Sequence, residues 1–159
     1  LLSEIEEAKI IDNCVLMEKI LSASLSDSVF QKAEEAYDRH FTHIPIIDEN
    51  NRCIGIFSHT IWSKILLDTI NNANNIKLDN SLTFGDILDY LSFDKQVVSE
   101  IVFLSSKSTV FDAKVKTSQS FNERQRGVGM FLITENGTDD EPLLGLITPV
   151  GLLGRKILN

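Results

Sequence analysis

The chain has 159 residues, 43% of them hydrophobic, enough for one globular domain or two small subdomains sharing a core, and too apolar for a disordered chain. Its net charge of −8 and pI near 4.8 oppose binding to nucleic-acid phosphates, and no apolar run approaches the roughly 20 residues that cross a bilayer. Nucleic acid and membrane are therefore excluded as expected partners. The start, "LLSEIEEAKI", has neither the plan of a signal peptide nor an initiating Met, and it reads as an excised or processed piece of a cytoplasmic protein.

In chain order, residues 1–14 read as an N-terminal helix and "EKILSAS" as a strand-like segment. "SDSVFQKAEEAYDRHF" opens with Ser28 and Gln31 as a capping box and puts Val29, Ala33, Ala36, Tyr37 and Phe41 mainly on one helical face. "THIPII" is a short β-branched run that Pro45 confines to a sheet edge, "DENN" is a turn, and "CIGIF" is its partner strand. A helix follows from Ser58, with Ile61, Trp62, Ile65, Leu66 and Ile70 at helical spacing. "NNANNIKLDN" reads as a linker, and "SLTFGDILDYL" as a short helix leading into a second half.

That second half repeats the first. "SEIVFLSS" is a strand, and Thr109 with Asp112 caps a helix carrying Val110, Ala113, Thr117 and Phe121 on one side. "GMFLI" and "LLGLI" form a hairpin around the turn "TENGTDDEP". Thr148 then caps a last helix with Pro149 at its first position and Val150, Leu153 and Ile157 on one face. Counting Ile47 as the match of Ile133, five extra residues fall around "SFNERQRG" and four in the second hairpin turn. Short strands that cannot bury both faces alone should pair with their duplicate across a pseudo-twofold axis. The expected class is α/β, two β-α-β-β-α repeats with an extra N-terminal helix, divided as 1–14, 15–75 (first repeat), 76–82 (linker) and 83–159 (second repeat).

Charge is uneven: residues 1–50 hold eleven acids and four bases, whereas 105–130 hold Lys107, Lys114, Lys116, Arg124 and Arg126 against Asp112 and Glu123. The basic stretch reads either as a solvated helix face or as an anion site. Cys14 and Cys53 read as plain thiols, and Asn136-Gly137-Thr138 as a turn. His40, His43 and His59 lack neighbouring Cys or paired carboxylates, so no metal is expected. No Gly-rich phosphate loop, nucleophile elbow or His-Glu-x-x-His occurs, and the neighbours Glu34 and Glu35 diverge on a helix. No enzyme is expected.

The order of "SDSV", a helix, "HFTHIPIID", a hairpin and "GIFS", repeated more loosely through "KSTV", "GMFLITENG" and "GLIT", resembles that of tandem CBS domains, a Bateman module, from about residue 12 to the end. The resemblance implies a regulatory sensor without a cofactor, whose clefts take AMP, ADP, ATP or another adenosyl ligand. It further implies pairing with a second copy, for which the stripe from Ile61 to Ile70 is a candidate, and a fused or separate effector protein. Ligand-binding candidates are Thr42, His43, Pro45, Ser58, Arg124, Arg126, Met130 and Thr148. The Asp that follows the hydroxyl by three residues in this family is Ile61 and Gly151 here, and Phe131 stands at the matching proline. Those departures keep open an alternative, a ligand-free assembly module of a larger protein.

Overall fold

The computed structural model describes residues 7–96 and 99–154. The chain divides into two units. One is residues 21–96, and the other combines the described parts of 1–20 and 97–159.

In the 21–96 unit, helix α1 (Val29–Asp38) is capped by the Ser28 hydroxyl, which accepts from the Gln31 amide at 3.4 Å. Val29 and Ala36 are buried and Ala33 packs beside them, but Tyr37 is 78% exposed. The helix ends in a Schellman turn: Phe41 N donates to Ala36 O at 2.8 Å, His40 N to Tyr37 O at 3.2 Å, and His40 takes the left-handed φ of 60°. His40 thus lies beyond the helix, in the turn that aims the chain at strand β2 (His43–Ile47). Strand β2 pairs antiparallel with β3 (Cys53–Ser58). Asp48 closes the turn between them by accepting from the amides of Asn50 and Arg52 at 2.8 and 2.9 Å.

Helix α2 (His59–Ile70) follows. Ile61 and Ile65 lie in the unit's own core, whereas Leu67 and Ile70 are exposed. Most of the stripe expected to face a second copy is therefore already covered. The expected strand in "EKILSAS" shrinks to one parallel bridge, Ala23 to Ile46, because Ser and Ala offer a sheet little to pack.

Residues 83–96, expected in the second repeat, complete this first core. A 3-10 helix (Phe84–Ile87) and the short helix α3 (Leu88–Leu91) bury Phe84, Ile87 and Leu91 against Ile44, Phe57 and Ile65. Backbone bonds from Val29 N to Leu82 O and from Gly85 N to Leu25 O stitch the segment in place.

The other unit carries a four-stranded sheet ordered β1-β6-β5-β4. Its strands are β1 (Val15–Leu16), β4 (Ser99–Ser105), β5 (Gly127–Thr134) and β6 (Gly145–Ile147). Strands β4 and β5 run parallel, joined by helix α4 (Val110–Arg124), whose Thr109–Asp112 capping box is formed. The extra residues around "SFNERQRG" mostly lengthen the helix: α4 has 15 residues and α1 has 10. Val110 and Ala113 are buried, but Phe121 is 64% exposed. Residues 15–20 were expected in the first repeat, yet β1 pairs with β6 here. Of the expected N-terminal helix, Ile10–Asn13 is a 3-10 helix that sinks Ile10 into this core. Residues 1–6 lie outside the described residues. Helix α5 (Pro149–Gly154) starts at the expected proline; Val150 is exposed, and Ile157 and the Leu153 side chain fall outside what is described.

The two hairpins share one register. Ile46 faces Gly55 and Ile133 faces Gly145, so Ile46, not Ile47, matches Ile133. Pro45 then corresponds to Leu132, and Phe131 to the core residue Ile44. Phe131 accordingly packs with Val110 and Ala113, fully buried, and does not stand at the proline position.

The turn after β5 is organised by one carboxylate. Glu141 accepts from the Thr138 hydroxyl at 2.7 Å, the Thr138 amide at 3.3 Å, and the Asn136 backbone and side-chain amides at 2.9 and 2.8 Å. The Thr138 hydroxyl is the main cause holding this carboxyl down to about 2; burial pushes the other way and the Asn136 amides add to the lowering. A depressed pKa stabilises the fold above the ordinary value of 4.5, and the contribution fades as pH falls towards 2. Glu141→Gln should therefore flatten the loss of stability between those limits, measured by urea unfolding at stepped pH. An unchanged acid limb would show that this turn is not acid-sensitive.

Candidate functional site

Ser58 ends β3 and begins α2. Its hydroxyl, buried with the residue at 6% exposure, accepts from the Ile61 amide at 3.4 Å, a long cap that leaves the oxygen weakly engaged. In the hairpin register Ser58 faces His43. Thr42, just before β2, is exposed, with its Oγ1 2.8 Å from His43 Nδ1. Burial pushes the half-buried His43 imidazole below its ordinary value, and nearby His59 adds to the shift, so the ring is neutral near pH 7.

Thr42, Ser58 and His59 meet at a cavity of about 50 Å³ whose walls include Ile44, Phe57 and Trp62. The Trp62 ring is held edge-on by Phe30, with centroids 5.5 Å apart, and by Phe57 at 6.0 Å. The cavity thus combines two hydroxyls and an imidazole with a rigid aromatic wall, beside the N-terminus of a 12-residue helix whose free amides favour anions. Ile61, at the family's Asp position, is 4% exposed and belongs to the core, so it offers this cavity no acceptor.

The sequence marks Thr42 and Ser58 as ligand candidates but gives no such role to His59 or Trp62. The missed signal was helical phase: His59 and Trp62 stand three apart after the Ser58 cap and share a face. Pro45 is buried in β2, and its carbonyl accepts from the Ala23 amide at 3.0 Å.

The remaining candidates lie in the other unit. Met130 is 2% exposed within β5 and holds the register position of His43. Thr148 accepts from the Gly151 amide at 3.1 Å and caps the six-residue α5. Arg124, at the end of α4, pairs with the Glu100 carboxylate, which also accepts from Ser120 Oγ. The Arg126 carbonyl accepts from the same Ser120 hydroxyl at 3.0 Å. Arg124 and Arg126 thus meet through Glu100 and Ser120, at the junction of α4, β4 and β5.

Burial pushes the Cys53 thiol up to about 12, so it stays protonated. No three His, Cys, Asp or Glu side chains among the described residues gather as a metal site, and no described helix is long and apolar enough to cross a membrane.

Residues 13–61, spanning the Ser58–Thr42 cavity, match the family model for the CBS domain. That stretch is identified with the CBS domain. Solved CBS structures extend the likeness over nearly the whole chain and show its fold to be the tandem CBS fold. The structure of CBSX2 in complex with AMP is 15% identical at TM-score 0.60, covering 95% of this chain and 97% of that one. The CBS domain of the bacterial CNNM/CorC family Mg2+ transporter in complex with ATP is 12% identical at TM-score 0.62, covering 98% and 92%. CbpB in complex with c-di-AMP is 11% identical at TM-score 0.66, covering 99% and 89%. Among curated proteins none matches.

Proposed function

We propose that this protein is a regulatory, non-catalytic module that senses an adenosyl ligand, with the Thr42–Ser58–His59 cavity receiving the ligand's polar end. The convergence of those three side chains beside the α2 N-terminus carries the reading, and similar structures hold AMP, ATP and c-di-AMP. A ligand of nucleotide size needs about 300 Å³ or more. A cavity of about 50 Å³ therefore takes a phosphate or a ribose edge, and the rest of the ligand lies outside it. Thr148 is the corresponding hydroxyl of the second repeat, and Met130 fills the place of His43 there. Arg124 and Arg126 are proposed to read phosphate only on release of Arg124 from Glu100. Ligand binding would act by shifting populations that an effector protein or a second copy reads.

The burial of Ile61 where a ribose acceptor is expected favours a second reading, an assembly module that binds no ligand. Calorimetric and thermal titrations with AMP, ADP, ATP and c-di-AMP, on protein verified free of carried-over nucleotide, separate the two. The sensor reading expects one of these to stabilise the protein by about 2.7 kcal/mol at 100 times its dissociation constant. His59→Ala and Thr42→Ala should each weaken that ligand by about three- to tenfold, the worth of one or two hydrogen bonds. No response to any of the four would leave the assembly reading.

A further inference from the structure

A larger cavity of the 21–96 unit shares no lining residue with the one at Ser58 and lies by the connection that follows α2. It holds about 480 Å³ and is lined in part by Asn74, Ile76, Lys77, Leu82, Asp89 and Tyr90. We propose that it is a second ligand site, and that it takes a small aliphatic amine of the diamine or polyamine class.

Size and rigidity come first. The volume falls within the range of about 300–1,000 Å³ typical of small-molecule sites. One wall is fixed by a hydrogen-bond relay: the Tyr90 hydroxyl donates to Asp68 Oδ2 and accepts from Asn74 Nδ2, both at 3.0 Å. Asn74 Oδ1 in turn accepts from Thr69 Oγ1 and the Ile76 amide, both at 3.1 Å. The cavity is therefore formed before any ligand arrives.

The lining sets the chemistry. Lys77, the one cation among its described lining residues, pairs with Asp79 at 3.0 Å, which offsets the attraction it would exert on an anion. Asp86, also on the wall, spends Oδ2 on the amide and hydroxyl of Thr83 at 2.9 and 3.0 Å. Its other oxygen and the Asp89 carboxylate meet no protein donor among the described residues. With the Tyr90 proton committed to Asp68, what that residue offers a ligand is acceptor capacity and a ring whose face attracts cations. Ile76 and the buried Leu82 supply an apolar surface for methylene groups. Aliphatic stem, cationic end and a preformed slot together fit an alkylamine, and the same charges repel the phosphates proposed for the Ser58 cavity.

Spermidine in low-salt buffer is the probe, read by calorimetry on the full chain. Saturable binding of one equivalent is expected, weakened about tenfold by Asp89→Asn, the loss of one charge-assisted hydrogen bond. Asp139→Asn removes an equal charge from a residue that is not among the cavity's lining groups and should leave affinity within about twofold. Absence of saturable binding, equal losses in the two variants, or the same heat from magnesium chloride at equal charge would each overturn the proposal. Adenosyl-ligand titrations do not enter this test, so it stands or falls apart from the sensing function.

Discussion

Phe84→Ala is expected to lower stability by about 3–5 kcal/mol, the usual cost of emptying a buried aromatic site. Phe84 is fully buried and meets the Phe57 ring edge-on at 5.5 Å. It shares its core with the buried Ile44, Ile65 and Leu91, so truncation leaves a cavity among buried side chains. Against a total stability of about 5–15 kcal/mol for a domain, such a loss is a large fraction of the whole. Location makes the result sharper. By sequence order Phe84 opens the second repeat, yet it supports the first. Hydrogen exchange should show the amides of β2 and β3 losing more protection than those of β5. A loss below about 1 kcal/mol, or greater exposure in β5, would reject this placement of residues 83–91. Because Phe57 immediately precedes Ser58, the variant should also loosen the small cavity and weaken whatever ligand occupies it.

Local chemistry made most of the elements legible. Ser28, Ser58, Thr109 and Thr148 each announce a helix start by a hydroxyl placed before an apolar run, and each accepts a backbone amide from the first turn of its helix. Helical faces were less legible at their ends. Tyr37, Ile70 and Phe121 fit the apolar period but remain exposed, because periodicity gives direction around a helix and not how far the core extends along it. Strand register failed by a single residue. A register irregularity between Ile46 and Ile47 adds one position to the first hairpin, and a count from the turn cannot detect it. That slip alone moved Phe131 from the core to the proline position. For the candidate site, Thr42 and Ser58 were readable because both flank the hairpin in sequence. His59 and Trp62 required the phase of α2, and the cavity under Tyr90 depends on a segment that sequence order assigns to a linker.

The exchange of segments between units follows from the same accounting. A two-stranded hairpin by itself leaves both faces and both outer edges uncovered, and it is marginal in water. In the 21–96 unit the cover includes Leu82–Leu91, and in the other unit the edge of β6 is taken by Val15–Leu16. Each covering segment is separated in sequence from the hairpin it serves, so the two units do not coincide with the stretches that the repeat pattern delimits.

Gly55 and Gly145 record that covering directly, and their substitution should be costly. Each faces the matching isoleucine across its hairpin, Ile46 and Ile133, and each has another segment lying against its Cα. A Cβ at Gly55 would fall 2.7 Å from Leu91 O and 2.8 Å from Leu91 Cβ; at Gly145 it would fall 2.6 Å from Cys14 Sγ and 2.8 Å from Val15 O. Neither backbone carbonyl can move without shifting its segment, so Gly55→Ala and Gly145→Ala should each destabilise by about 1–3 kcal/mol. The two sites differ in how they can be rescued. Cys14→Ala removes the sulfur that Gly145→Ala would strike, so the double variant should recover part of the loss and show favourable coupling in a double-mutant cycle. At Gly55 the obstacle is backbone and Cβ, and Leu91→Ala, which keeps both, should recover none of it. Denaturant unfolding of the single and double variants measures all four terms. A neutral Gly55→Ala would show that α3 does not lie on the hairpin, and an uncoupled Cys14–Gly145 pair would place the N-terminal segment elsewhere.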